Sequence, residues 1–547
     1  MAIIKKYFLL LCIINITQIL SSYIYSQEVP QSVINTGIYE FIDELANNHI
    51  ISVNSVIKPY SRLFIAKKLK EAKEKSEQLS PRQQKELAFY MLDFGKELDD
   101  VGRKGSTALW RKGNSVKRRK DLFYYQDSLF SLTVNPILGG EFFTNSSGNA
   151  TYWRNGAEAR GYIRNWGFYA SLRDNHETPL LGLPVYLTQR EGGHLKEGNA
   201  WEEMQGGITY SWKWGNAGLV KDKLQWGNNY NGANIFGGNN PSFVQFRLHI
   251  NPVKWFDFNY FHGWLNSMVV DSSRSYRVNN SYGTDYREVY HKKFIAANMF
   301  TFIPLKNLNI SAGNSIVYTD LDLFPAYLIP VLFYKAVDHS VNDGIDNMNS
   351  QLFFDISSRQ INHLHLYGTL FIDELSVPRI FKKNKTEWNF LSYKAGFRLT
   401  DLPVRDLSLT AEFTYTYPLA FQHYVPTLTF ESNGYNLGHY LRDNAREWYI
   451  SLGYRPLRTM NLNIFLVDAI RGPDYTELGA DRAGNPPLTS VQWHNTTAGI
   501  KASYQIINDV YAWCSFAVSD IHGDNRWSPE YFYGKKNTVN GGITVGF

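Results

Sequence analysis

Hydrophobic and polar positions follow two different periods along this chain. Between residues 30 and 100 apolar residues recur at helical spacing. Ile38, Phe41, Ile42, Leu45 and Ala46 mark one face, and Ile65, Leu69 and Ala72 mark a second after Pro59 and Ser61. A third stripe, Leu87, Met91 and Phe94, follows Ser80, with Pro81 at the first helical position and Gln83 placed to complete a capping box. Three amphipathic helices packed as a small bundle are predicted over 27–100. From about residue 127 the period becomes two. Val244, Phe246, Leu248 and Ile250 alternate with Gln245, Arg247, His249 and Asn251. Leu407, Leu409, Ala411, Phe413, Tyr415 and Tyr417 alternate with Asp406, Ser408, Thr410, Glu412, Thr414 and Thr416.

Alternation also occurs in soluble sandwiches, so the connections decide between them. Tight turns are predicted near Asn165-Trp166-Gly167, Trp214-Gly215-Asn216, Asn251-Pro252, Pro304, Arg359-Gln360, Pro403, Pro456 and Ile507-Asn508. Between them lie nine longer polar stretches, rich in Gly, Asn and Asp. Short and long connections alternate strictly, as in transmembrane barrels. About eighteen antiparallel strands over 127–547 follow. The fold class is an all-β transmembrane barrel preceded by a small helical bundle, which the export route would place in the periplasm. Trp255, Phe256, Tyr260 and Trp264 fit interfacial girdles. The terminal pattern Asn540, Gly542, Val545, Phe547 resembles the signal read by outer-membrane assembly machinery.

Composition supports this reading. Aromatic residues make up 15% of the 547, charged residues only 19%, and there are two cysteines. A disulfide scaffold is excluded. Lys5 and Lys6, the apolar run Tyr7 to Leu20, and Ser21, Ser22 and Ser26 form the three regions of a secretory signal, with 1–26 removed. A lipoprotein anchored at Cys12 is disfavoured by Leu9, Leu10 and Leu11, since that modification needs a small residue just before the cysteine. The chain is expected in the outer membrane, in contact with its lipids. Basic residues concentrate in the linker 101–126: Arg103, Lys104, Arg111, Lys112, Lys117, Arg118, Arg119 and Lys120, with no acidic residue over 101–120. In an exported barrel this points to lipid headgroups or an anionic polymer, and no nucleic-acid partner is expected.

Candidate chemistry is sparse. No phosphate loop, nucleophile elbow or cysteine pair is present, and no catalytic residue, metal or cofactor is assigned. His363 and His365 share one strand face and read as lumen-facing histidines. Asp338, Asp343 and Asp346 read as a solvated acidic loop. Two clusters read as a saccharide surface, pairing aromatic faces with amide and carboxylate groups. The first holds Trp226, Asn229, Tyr230 and Asn234, and the second Tyr435, Asn436, His439, Tyr440 and Arg442. From composition alone these clusters equally fit loops packed over the barrel mouth.

Several blocks resemble a known family. They are the run Val220 to Asn228 with its Trp226-Gly227 pair, continuing through Gly232 to Pro241-Ser242-Phe243; Asp346-Asn347 ahead of Phe353-Phe354-Asp355; Leu366-Tyr367-Gly368 with Phe371-Ile372-Asp373-Glu374; Asn444, Arg446, Glu447 and Tyr449 ahead of Leu452-Gly453-Tyr454; and the leading segment Tyr39 to Pro59. Together they are similar to the Wzi capsule-assembly family, with loops in the style of its Bacteroidetes branch. The resemblance implies an eighteen-stranded outer-membrane barrel that binds capsular or exopolysaccharide at the cell surface, lectin-like and without catalysis. An open channel, or an accessory of a secretion or assembly machine, are the alternatives.

Overall fold

The computed structural model describes residues 28–546 apart from 35, 99–104, 107–120, 128, 183, 185–186, 196–197, 282, 342–346, 382–386 and 475–483. The expected leader 1–26, nearly all of the basic stretch, Asp343, Asp346 and the terminal Phe547 lie outside the described residues.

Eighteen strands close an antiparallel barrel. In chain order they are β1 (Phe130–Asn145), β2 (Gly148–Ile163), β3 (Trp166–Glu177), β4 (Ala200–Trp212), β5 (Gly215–Asp222), β6 (Phe243–Val253), β7 (Phe256–Val270), β8 (Tyr290–Leu305) and β9 (Leu308–Thr319). Then follow β10 (Met348–Ser358), β11 (Leu364–Glu374), β12 (Phe390–Thr400), β13 (Leu407–Thr416), β14 (Ala445–Tyr454), β15 (Met460–Arg471), β16 (Trp493–Ile507), β17 (Val510–Gly523) and β18 (Gly534–Val545). Each pairs with its chain neighbours, and β18 closes on β1 from Val539↔Thr144 to Val545↔Leu138. Phe123–Gln126, within the stretch read as linker, pairs instead with the lower half of β1.

Burial along the strands runs opposite to that of a soluble sheet. On β13 Ser408, Thr410, Glu412, Thr414 and Thr416 are buried while Leu407, Leu409, Ala411, Phe413 and Tyr415 are half-exposed. On β6 Gln245 is buried, while Val244 and Phe246 are exposed. Apolar residues therefore face outward and polar ones line the lumen, as a lipid-facing wall requires. No described helix is long and apolar enough to cross a membrane.

The expected turns fall at the short-connection end, with two corrections. Pro252 and Pro304 sit in the irregular strand ends Ile250/Val253 and Phe302/Leu305, where the register shifts, and each turn lies a few residues further on. Proline lacks the N–H a ladder needs, so a bulge suits it.

Three helices, α1 (Thr36–Asn47), α2 (Arg62–Glu74) and α3 (Pro81–Phe94), form the bundle around Ile38, Phe41, Leu45, Ile65, Leu69, Leu87, Tyr90 and Phe94. The capping box of α3 is present, with Ser80 accepting from the Gln83 amide and Gln83 reaching back to the Ser80 amide. The bundle stoppers the short-turn end. Asn48 donates to Asp401 (2.6 Å), Ser52 to Asn307 (2.9 Å) and Tyr90 to Gln505 (3.1 Å). At the same end Arg82 pairs with Glu44, Glu86 and Asp406, and Arg455 pairs with Glu44 (2.5 Å) and Glu86 (2.9 Å).

Candidate functional site

Inward-facing charges on a barrel wall need partners, because an unpaired buried charge is expensive. Lys394 and Glu412 are buried on β12 and β13, Asp355 on β10 and Glu447 on β14. Some partners are on the wall itself, Lys394 with Glu412 (3.4 Å) and Thr369 with Asp355 (2.8 Å), and the others come from two connections that fold into the lumen. The first, residues 223–242, crosses from β5 to the opposite wall. Asn228 donates its amide side chain to Asp355 (2.6 Å) and its backbone N–H to the same carboxylate (2.9 Å). The Tyr230 backbone N–H donates to Glu412 (2.7 Å), Asn231 to Glu447 (2.9 Å), Asn234 to the Ser392 carbonyl (3.1 Å), and Lys394 to the Asn231 carbonyl (3.3 Å).

The second connection, residues 417–444, packs on the first. The Gly237 amide donates to the Leu437 carbonyl (2.7 Å). A Cβ at Gly237 would collide with the Gly438 carbonyl, so this approach requires glycine. Trp226, Ile235, Phe236, Phe421, Phe430 and Leu437 join the wall residues Phe243, Phe261, Ile295, Met299, Phe353 and Phe371 in one apolar core inside the barrel. The Trp226 ring meets Phe236 and Phe261 edge-on at 5.2 and 5.3 Å.

Below this core the loop meets the bundle. Ile57–Lys58 pairs with Gln225–Trp226, and Ser55 donates to the Asn228 side chain (2.6 Å). Arg359 is the hub. It donates to Asn47 (2.7 Å), Ser55 (3.0 Å) and Asp43 (2.6 Å), and the Tyr230 hydroxyl also donates to Asp43 (2.6 Å). Burial alone would raise the Asp43 carboxyl, but Arg359 and Arg398 outweigh it and hold it well below the usual carboxylate range. A polar cavity of about 540 Å³ remains beside the plug, lined among others by Tyr39, Lys58, Tyr60, Asn229, Tyr449 and Lys501.

The nine predicted saccharide contacts all lie on these two connections. Trp226, Asn229, Asn234, Tyr435 and His439 are buried, and Tyr230, Asn436, Tyr440 and Arg442 are half-buried. Asn436 donates to the His439 carbonyl (2.7 Å), Tyr440 to Glu447, and Arg442 to Glu431 (3.3 Å). Most of their polar groups are engaged by protein, while the Asn234 Oδ1, the Tyr435 hydroxyl and the His439 Nε2 have no hydrogen-bond partner among the described residues. His365 does face the lumen, 2.9 Å from Ser357, but His363 lies in the turn before β11, 3.0 Å from Asn48. Exposed instead is a hairpin between β7 and β8, Tyr276–Asn280 paired with Gly283–Arg287. There Tyr276 (57% exposed) stands opposite Arg287, and Tyr286 (49%) opposite Arg277. The available signal was one Tyr-Arg pair on each side of a short polar turn, Tyr276-Arg277 and Tyr286-Arg287.

Asp443 ties the second loop together by accepting the Phe421 amide (2.6 Å), and burial pushes it up to about 7. A raised carboxyl favours the protonated folded form, so stability falls as pH rises from about 4 through 7. Amide-exchange protection of 418–444 is expected to be higher at pH 5 than at pH 8 in the wild type. Asp443→Asn should flatten that difference; an unaltered profile in the variant would remove Asp443 as its source.

A solved structure places this architecture. Wzi of Escherichia coli, an outer-membrane protein involved in group 1 capsule assembly and a carbohydrate-binding barrel, superposes with a TM-score of 0.57 over 95% of this chain and 100% of its own, at 12% identity. The fold is Wzi-like. The Occ barrels are further off: OccAB2 of Acinetobacter baumannii gives a TM-score of 0.42 at 9% identity over 76% of this chain and 97% of its own. OccD3 of Pseudomonas aeruginosa gives 0.40 at 11% identity over 76% and 90%. No family model and no curated protein matches the sequence.

Proposed function

We propose that this chain is an outer-membrane barrel that retains capsular or exopolysaccharide at the cell surface, as a binding protein without catalysis. The observation that carries this reading is the lumen filled at two levels by the chain's own bundle and loops, on a Wzi-like wall. A barrel so plugged offers its outer loops to a polymer. In this reading the short turns and the bundle face the periplasm, and the Tyr276–Arg287 hairpin projects outward, its tyrosine faces suited to sugar rings and its guanidiniums to hydroxyls or carboxylates. A repeating polymer offers many equivalent weak sites, so retention arises from multivalency.

The test is the partition of polysaccharide between cells and medium in a strain lacking the protein, beside a complemented control. Total polymer is expected to stay constant while the cell-bound share falls. Complementation with Tyr276→Ala/Tyr286→Ala should restore the barrel but only part of the retention. An unchanged partition in the deletion strain overturns the reading and puts a channel first.

A further inference from the structure

The regular ladder through the middle of β7–β10 assigns its residues to a face. Phe246 faces outward and pairs with His262, and Leu248 pairs with Tyr260, so His262 and Tyr260 face outward too. Across the ladder Tyr260 pairs with Asn298 and Asn298 with Asn314. Two amides thus stand on the wall's outer face, where unmet hydrogen bonds are costly. Both are met by the connection between β9 and β10. Asn298 donates to the carbonyls of Pro330 (2.8 Å) and Leu332 (3.0 Å), and Asn314 accepts from the Tyr334 amide (2.9 Å). The Tyr260 hydroxyl donates to the Tyr327 carbonyl (2.8 Å). Tyr327 and Tyr334 are fully buried against Tyr318, Phe294 and Phe258. This connection folds down the outside of the barrel.

Its depth follows from the register. Asn298 lies seven residues above Leu305 and Asn314 six above Leu308, at the short-turn end. A strand tilted about 40° rises roughly 2.5 Å per residue along the barrel axis, which puts the segment's tip about 15–18 Å up an apolar band about 25 Å tall. Several of the segment's amides are met within it, Tyr327 to Phe324, Ile329 to Ala326 and Ala336 to Phe333, and those of Phe324 and Tyr334 are met by the wall side chains Tyr318 and Asn314, which lowers the cost of irregular backbone in a bilayer. Its outer side carries Leu328, Ile329, Val331 and Phe333, 39 to 62% exposed, continuous with the lipid-facing wall residues Phe302, Ile310, Phe354 and Ile356. Lys335 has a stem long enough to carry its charge toward the headgroups.

We propose that residues 320–341 form a strap whose tip dips into the outer leaflet, with Leu328, Ile329, Val331 and Phe333 packed against lipid acyl chains and Asp320 and Asp322 held above the apolar band by His291 and Lys292. The proposal rests on the barrel spanning a membrane. It is tested on the full mature chain carrying Cys514→Ser, reconstituted in phosphatidylcholine vesicles with brominated acyl chains. A bimane label is placed at one cysteine at a time: V331C or F333C in the strap, I310C on the wall, S272C in an exposed loop. Strap labels are expected to be quenched as strongly as the wall label, and the Ser272 position to stay bright. Bright strap labels beside a quenched wall overturn the strap, whether water or a second protein covers it, and cross-linking between copies identifies the latter. A bright wall label overturns the membrane reading itself, and the proposal with it.

Discussion

Arg359→Met is expected to undock the helical bundle while leaving the barrel closed. The guanidinium is buried between the turn after β10 and α1, where it satisfies Asp43, Asn47 and Ser55 together. Removing one partner of a buried pair leaves the other charge uncompensated, a loss of about 3–5 kcal/mol. Arg398, 3.9 Å from Asp43, recovers only part of it. Limited proteolysis should cut within residues 28–98 in the variant and spare them in the wild type, while both keep the heat-modifiable gel shift of a folded barrel. Arg359→Lys should remain defective, because an ammonium cannot fork to three acceptors on two elements. Adding Asp43→Asn to Arg359→Met should restore part of the resistance by removing the stranded charge. Equal protease resistance in all four proteins would show that the bundle is held elsewhere, the Arg82, Arg455, Glu44 and Glu86 network being the next candidate.

The parts legible in the sequence were those set by local periodicity. Alternation on β6 and β13 gave the strands, the alternation of short and long connections gave their number, and Ser80, Pro81 and Gln83 gave the start of α3. The direction in which a long connection folds was not legible. Trp226, Asn228, Tyr230 and Asn234 have the composition of a sugar-binding surface because a plug that meets a polar lumen needs the same groups, aromatic faces and amides. The missing clue sat on the wall. Lys394, Glu412 and Glu447 alternate inward on their strands, and buried charges of that kind call for a partner from within the barrel. The ion pairs themselves join positions hundreds of residues apart, such as Asp43 with Arg359, which no local pattern reports. The outward Asn298 and Asn314 posed the converse question, a polar group where lipid is expected, and a loop on the outer wall is its answer.

A second consequence of the two-level plug is its redundancy. Eighteen strands enclose an aqueous lumen unless it is filled. Here the bundle fills the short-turn end, and the loops 223–242 and 417–444 fill the middle with an apolar core. The wild type is expected to be silent in a planar bilayer. Excising residues 28–98 alone should leave it nearly silent, since the Trp226–Phe236–Phe430 core stays in place. Replacing 226–238 with a short Gly/Ser linker alone should also leave the bundle as a stopper, although the loss of Trp226 and Phe236 from the core costs about 3–5 kcal/mol for each ring and loosens loop 417–444. Combining the two changes removes both obstacles, and steady ohmic conductance is expected only there. Conductance in the wild type would mean that the polar cavity beside the plug runs through the barrel, and transport would then displace polymer retention as its function. Silence in the double variant would locate the block in the remaining loop, where Phe421, Leu428 and Phe430 pack against the wall without help from either deleted part.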